Sequence, residues 1–213
     1  MLRAVWRRFL RLFFRLLYNE LAWTYDAVAW IVSLGQWRNW GQTTLSHLRG
    51  ERVLELGHGP GHLLVALNER GFAPVGVDLS STMGRQAKAE LIEAGANVPL
   101  VRARAQALPF RAASFDSIVA TFPTDYIVDR RTLSQVTRLL RPMGRLVVAA
   151  SARFEGRGLR ATFLSWLYEI TGQGEPEPGG FASRLADAGL TCRVVWEDVG
   201  RTEVMVVIAH RQS

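Results

Sequence analysis

The chain has 213 residues, a formal net charge of +7, 48% hydrophobic and 21% charged residues, and one cysteine. That length suits a single α/β domain with a modest elaboration, and the composition is that of an ordinary globular protein which needs no disulfides to bury a core. Cys192 stands alone, so an internal disulfide is excluded; in its apolar, strand-like stretch it reads as a small buried hydrophobe rather than a nucleophile. The charge is uneven. Arg3, Arg7, Arg8, Arg11 and Arg15 give residues 1–17 a charge of +5 with no acid, which leaves only +2 for the rest. A nucleic-acid-binding protein spreads its basic surface over the folded domain, so no nucleic-acid partner is expected. No stretch offers the roughly 20 nearly uninterrupted apolar residues of a membrane span, and the arginines fall where a secretory leader would be apolar.

Residues 2–17, taken as a helix at about 100° per residue, place the five arginines on one arc. Leu2, Val5, Trp6, Phe9, Leu10, Leu12, Phe13, Leu16 and Leu17 fill the opposite side. This is the pattern of a helix lying in a membrane interface; a helix packed on the domain with solvated arginines, or a mitochondrial presequence, are the competing readings. Residues 19–48 read as helical and carry Trp23, Trp30, Trp37 and Trp40, side chains that favour apolar–wet boundaries, with packing onto the core an equal alternative for any one of them. Gly50 breaks that pattern, so a helical extension and cap over 1–48 precedes a domain over 49–213. From residue 52, apolar runs at 52–57, 74–78 and 98–102 alternate with helical segments near 61–70 and 80–95. Strands follow at 115–121 and 144–150, with a helix near 130–140 between them. This rhythm predicts a parallel sheet with helices on both faces, and the unbroken apolarity of Ile118, Val119 and Ala120, and of residues 146–150, suits strands buried on both sides. Residues 151–180 differ: Arg153, Arg157 and Arg160 precede an apolar helix-like run at 163–168, and the glycines and prolines of 172–180 predict a loop. This insert is expected to cap a substrate cleft. A helix near 180–188 and strands near 190–197 and 203–210, paired antiparallel at one edge, complete the domain.

The first strand runs straight into Gly57, His58, Gly59, Pro60 and Gly61. Glycines at alternate positions permit a tight turn and let a cofactor approach the backbone. Glu55 precedes the loop, and Asp78 ends the second strand about twenty residues on, placed to accept hydrogen bonds from a ribose diol. The dinucleotide fingerprint is G-x-G-x-x-G, with a pyrophosphate on the helix N-terminus. Here Pro60 has no amide to donate and residue 62 is not glycine, so a cofactor without a pyrophosphate is favoured.

With these motifs, residues 51–150 resemble a class I S-adenosylmethionine-dependent methyltransferase, close to the ubiquinone/menaquinone and phospholipid N-methyltransferases. The glycine loop is similar to the family's E/D-x-G-x-G-x-G element, with Glu55, Gly57, Gly59 and Gly61 in place. Gly76-Val77-Asp78-Leu79-Ser80 resembles the segment with its ribose-binding acid, Asp78, and the apolar residue flanking adenine, Leu79. Residues 105–110, 114–119 and 140–146 resemble three further elements in the right order, and Ala22-Trp23-Thr24-Tyr25-Asp26 is similar to the A-x-x-Y-D pattern whose tyrosine lies over the cofactor. The resemblance implies an α/β, Rossmann-like, seven-stranded mixed sheet in the order 3-2-1-4-5-7-6, S-adenosyl-L-methionine as cofactor and S-adenosyl-L-homocysteine as product. The chain departs from the family at Arg104, where relatives carry an acid that accepts from the adenine amino group. Arginine has no acceptor, so either Gln106 or the Ala105 amide holds the adenine, or packing does, and Arg104 turns to solvent.

Methyl transfer is an in-line displacement whose catalysis can come largely from positioning and desolvation, so no fixed catalytic residue has to exist. The candidates are His58 in the glycine loop, and Asp125 and Tyr126 after the fourth strand. Each has a plainer role open to it: lining the loop, capping a helix, or packing. Thr121 is expected to line the cofactor, and Phe122, Pro123, Tyr126 and Arg153 the acceptor. His47, His62 and His210 lack partners at metal-ligand spacing, so no metal is expected. The basic helix, the tryptophans and the insert together point to an apolar acceptor reached from an anionic membrane surface, such as a phospholipid amine or a quinone precursor, on the inner, cytoplasmic face. A soluble small-metabolite methyltransferase, or a non-catalytic cofactor-binding protein of the membrane surface, are the alternatives.

Overall fold

The computed structural model describes residues 36–154 and 178–211. Seven strands, β1 (Arg52–Leu56), β2 (Ala73–Asp78), β3 (Leu100–Arg102), β4 (Phe115–Thr121), β5 (Leu140–Phe154), β6 (Leu190–Val199) and β7 (Thr202–Arg211), form one sheet in the order β3-β2-β1-β4-β5-β7-β6. This is the Rossmann-like mixed sheet that the resemblance implied. The first five strands are parallel; β7 runs antiparallel between β5 and β6. Around the sheet stand α1 (Trp37–Gln42), α2 (His62–Glu69), α3 (Ser81–Glu93), α4 (Arg130–Leu139) and α5 (Pro178–Asp187).

The alternation of side chains along each strand divides the core in two. Leu54, Leu56, Ile118, Leu146, Val148 and Val207 face one side, where Leu133, Val136 and Leu139 of α4 and Phe181 and Leu185 of α5 cover them. Val53, Val119, Val147, Val206 and Ile208 face the other, under Leu63, Leu64 and Leu67 of α2, Leu91 of α3 and Trp40 of α1. The lead-in belongs to this second layer: Trp40 is fully buried, and its Nε1 donates to Thr202 Oγ1 at 2.8 Å.

Two boundaries differ from those expected. Strand β5 spans 140–154 rather than 144–150, because Leu140 already pairs with Phe115 before the register shifts to Ser117 opposite Arg145; Met143, at φ +64°, absorbs the irregularity. At its far end β5 continues because β7 pairs with it as far as Phe154 opposite Thr202. Helix α5 begins at Pro178, inside the stretch expected to be loop. Proline suits the first helical turn, where an amide would have no partner. The amphipathic segment 1–17, Tyr25, and residues 155–177 of the expected insert lie outside the described residues. Among the described residues no helix is long and apolar enough to cross a membrane.

Helix α4, which closes one face of the core, is capped by Asp129, whose Oδ1 accepts from the amides of Arg131 and Thr132 at 2.7 and 3.4 Å. Asp129→Ala is expected to cost about 1 kcal/mol, read as a lower thermal midpoint, whereas Asp129→Asn keeps most of the stability.

Candidate active site

Strand β1 ends at Leu56, and the chain turns through residues 57–61 into α2. Gly57, Gly59 and Gly61 all have positive φ, at +72°, +52° and +95°, the left-handed region that favours glycine. The space around them differs. A Cβ on Gly57 would lie 2.6 Å from Tyr126 Oη, and one on Gly61 would lie 2.9 Å from Ala87 Cβ; one on Gly59 would meet no atom of the described residues within 4 Å. The outer glycines are packed by the protein itself, whereas the middle one opens a cradle where a ligand can reach the backbone. Gly57 N donates to Val77 O at 2.7 Å, and Gly59 N to Asp78 Oδ2 at 3.1 Å. Asp78 Oδ1 accepts from Ser80 N at 2.7 Å. A carboxylate oxygen can take a second donor, so Asp78 anchors the loop and still has acceptor capacity for a diol. Leu79 beside it is 54% exposed, an apolar side chain free to cover a ring.

Glu55 lies behind the loop, 1% exposed, and its Oε2 has no hydrogen-bond partner. Burial, and then the charge of Asp78, raise its carboxyl well above the ordinary 4.5. His58 is 4% exposed. Its Nδ1 stands 2.7 Å from Gly59 O, which can only accept, so Nδ1 carries the proton and donates. Its Cδ2 lies 3.0 Å from where a Gly76 side chain would start. Burial lowers the His58 pKa, and the ring packs between the loop and β2.

Beyond β4 the expected residues separate. Thr121 is half-buried, its Cγ2 directed at Gly41 of α1. Phe122, expected to meet an acceptor, is instead 7% exposed, in a cluster with Trp37 and Trp40 at centroid distances of 4.6 and 5.8 Å. It holds φ +46°, and its amide donates to Ala149 O at 2.8 Å. Pro123 is half-buried. Asp125 is exposed and opens a 3-10 turn over Asp125–Val128; the acid that caps the following helix is Asp129. Tyr126 returns to the loop, donating from Oη to Leu56 O at 3.0 Å. The Arg104 side chain is exposed, and with Gln106, Arg130, Arg131 and Arg184 it lines an open cleft of about 880 Å3; Ala105 is half-buried beside it. Arg138 and Gln135, which the sequence did not single out, secure the adjoining strand of chain: Arg138 donates to Phe110 O and Leu108 O at 2.7 and 3.0 Å and to Gln135 Oε1 at 2.6 Å. Arg153 is committed elsewhere, its Nε 2.8 Å from Glu203 Oε2 and its guanidinium over the Trp196 ring at 3.9 Å. His47 and His62 do have carboxylate partners, Glu197 at 2.7 Å and Glu90 at 2.9 Å, brought to them across 150 and 28 residues by the fold, a separation no motif reveals.

Residues 53–144 match the methyltransferase domain family. Over this stretch the chain is similar to the class I S-adenosylmethionine-dependent methyltransferases. Among similar proteins, the demethylmenaquinone methyltransferase of Mycolicibacterium paratuberculosis is 36% identical over 138 residues, covering 62% of this chain and 56% of that protein. The demethylmenaquinone methyltransferase of Thermus thermophilus is 32% identical over 138 residues, covering 62% and 63%. Geranyl diphosphate C-methyltransferase from Streptomyces coelicolor, solved with Mg2+, geranyl diphosphate and S-adenosyl-L-homocysteine, shares the fold at a TM-score of 0.64 and 16% identity, covering 81% of this chain and 78% of that one. The chain spans 55% to 66% of the length of the first curated relatives it matches.

Two outcomes follow from the glycine loop and the carboxyl behind it. Gly59→Ala has room for its methyl group and is expected to lose about 1 kcal/mol through backbone strain alone, yet to lose S-adenosylmethionine binding in calorimetry; Gly61→Ala also collides with Ala87 and should show the larger drop in thermal midpoint. For Glu55 the folded carboxyl pKa lies above the unfolded one, so its contribution to stability is complete below the unfolded value and is lost as pH rises through the folded value. Glu55→Gln removes that loss. In ligand-free protein the variant should therefore gain in thermal midpoint over wild type as pH is raised from 4.5.

Proposed function

We propose that the chain transfers a methyl group from S-adenosylmethionine to an apolar acceptor, and that the acceptor is the ring of a quinone precursor. The methyl donor rests on one observation above all: the unobstructed Gly59 cradle lies beside a loop-anchoring Asp78 and an exposed Leu79. The acceptor class rests on the 36% identity to a demethylmenaquinone methyltransferase. Docking of the protein on an anionic inner-membrane surface, where such an acceptor resides, is supported by the five arginines of residues 1–17.

In this reading Gly59 gives the methyl donor access to the backbone, Asp78 accepts from the ribose hydroxyls, and Leu79 covers the adenine. Ala105 and Gln106 flank the ring's far edge, a place where Arg104 donates only. When bound, S-adenosylmethionine supplies a methyl group on a sulfonium, and S-adenosylhomocysteine is left. Glu55, ionising beside a cationic ligand, offsets its charge. The chain's own contribution is to place the acceptor in line and keep water out. If the acceptor must lose a proton, Asp125 is the group to take it at a carboxylate oxygen, because Tyr126 Oη already donates to Leu56 O and the His58 ring is buried in the loop, 4% exposed.

The test is incubation of the full chain, and of a chain lacking residues 1–17, with methyl-labelled cofactor and either a whole-cell lipid extract or a soluble metabolite extract. Label is expected in the quinone fraction of the lipid extract, with a strong loss in the shortened chain. Label only in soluble metabolites would replace the acceptor class and the membrane role. Cofactor binding without any labelled product would leave a binding protein. Asp125→Asn should cut the labelling rate roughly 100-fold.

A further inference from the structure

At the end of the sheet away from the glycine loop, basic side chains crowd one face. Arg145 on β5 lies opposite His210 on β7, and His210 lies opposite Thr191 on β6; Arg193 follows two residues along β6 on the same face. Cross-strand neighbours on one face stand about 4.5–5.5 Å apart at Cβ, and diagonal ones about 7–8 Å. Arg49 enters from the turn before β1. Ser117 Oγ, opposite Arg145 in the sheet, fixes that turn by accepting from Arg49 N and donating to Arg49 O, both at 2.8 Å. Four separate segments thus converge on one spot. Arg145 Nη1 donates to His47 O at 2.9 Å, while its Nε is buried with no hydrogen-bond partner.

The acids on the surrounding elements do not neutralise this cluster. Glu197 on β6 is held by His47, and Asp116 on β4 by Arg141 at 2.8 Å and the Arg52 amide at 2.9 Å. Glu203 on β7 is taken by Arg153, and Glu51 and Asp198 are exposed. Among the described residues, no ion pair joins Arg49, Arg145 or Arg193 to a carboxylate. Burial, and then the charges of Arg145, Arg193 and Arg49, push the His210 imidazole down, and Arg145 is depressed in the same way by burial, Arg49 and Arg193. Like charges gathered without a counter-charge raise the free energy of the fold, and an anion seated among them removes that penalty.

We propose that Arg49, Arg145, Arg193 and His210 form a binding site for a phosphate group, separate from the cofactor site and independent of the methyltransferase reading. Guanidinium groups arriving from three directions suit a tetrahedral dianion, which can accept from each in turn. The group is carried either by a free phosphate or phosphomonoester, or by the headgroup of an acidic lipid such as phosphatidic acid.

The full chain is titrated with inorganic phosphate while the His210 ring signals are followed by NMR, assigned with a His210→Asn spectrum. The same protein is floated with vesicles of phosphatidic acid in phosphatidylcholine, and the double variant R49Q/R193Q, altered only at exposed positions, is carried through both arms. A saturable His210 shift with a pKa rise of about one unit, weakened at least tenfold in R49Q/R193Q, establishes the site for a free phosphate. Flotation that falls at least tenfold in the variant, with no response to inorganic phosphate, assigns the group to a lipid headgroup; comparison with the variant cancels the basic residues 1–17. In phosphate-free buffer the variant should melt about 1–2 °C above wild type, and in phosphate that advantage should vanish. The proposal is overturned if neither probe responds to R49Q/R193Q, or if the variant melts below wild type without phosphate.

Discussion

The carboxylate of Asp78 grips two backbone amides from opposite directions, Gly59 in the glycine loop and Ser80 at the cap of α3. Hydrogen bonds to an ionised acceptor are about twice as strong as neutral ones, and here they fix a turn of five residues that has few side chains to fix it. The direction of α2, the left-handed backbone at three glycines and the enclosure of Glu55 all follow from where that turn is held. Val77 completes the grip by accepting from Gly57 and His58. The end of β2 is therefore the template on which the end of β1 is shaped.

Around this template the protein tolerates local cost. Glu55 is enclosed with an oxygen unpartnered, and Phe122 adopts φ +46°, a conformation bulky side chains avoid. Such strain persists where the surroundings over-determine it. At Phe122 those surroundings are visible: Trp37 and Trp40 enclose the ring, and Ala149 O takes the amide. The aromatic lead-in thus does structural duty at the mouth of β4. The sequence leaves Trp37 and Trp40 open between a boundary role and a core role, since tryptophan serves both equally well.

What the sequence made legible was whatever repeats at short range. The alternation of apolar runs with helical segments predicted the sheet and its helices, and the spacing of Gly57, Gly59, Gly61 and Asp78 located the loop and the acid that holds it. Less legible was whatever depends on partners distant along the chain. Nothing in the sequence around His47 announces Glu197, and Arg138 carries no motif although it ties down the backbone of Leu108 and Phe110. Boundaries slipped where local preference and pairing disagree. Met143 and Gly144 signal a turn, but Leu140 is claimed by Phe115 first. Asp125 and Asp129 are equally plausible caps by composition, and only the 3-10 turn between them decides the matter.

The order of the strands has a consequence for how the protein is made. Strand β7 is the last of the seven to leave the ribosome, yet it belongs between β5 and β6. Until it arrives, the 15-residue β5 is an open edge on the nascent chain, the kind of edge that invites mispairing, and β6 has no place to dock. Trp40, synthesised more than 160 residues earlier, waits for Thr202 to give its indole an acceptor. The layer over that face is sealed only when β7 threads into the gap, so completion of this fold is a single late event that joins Trp40, ahead of β1, to Thr202 at the start of β7.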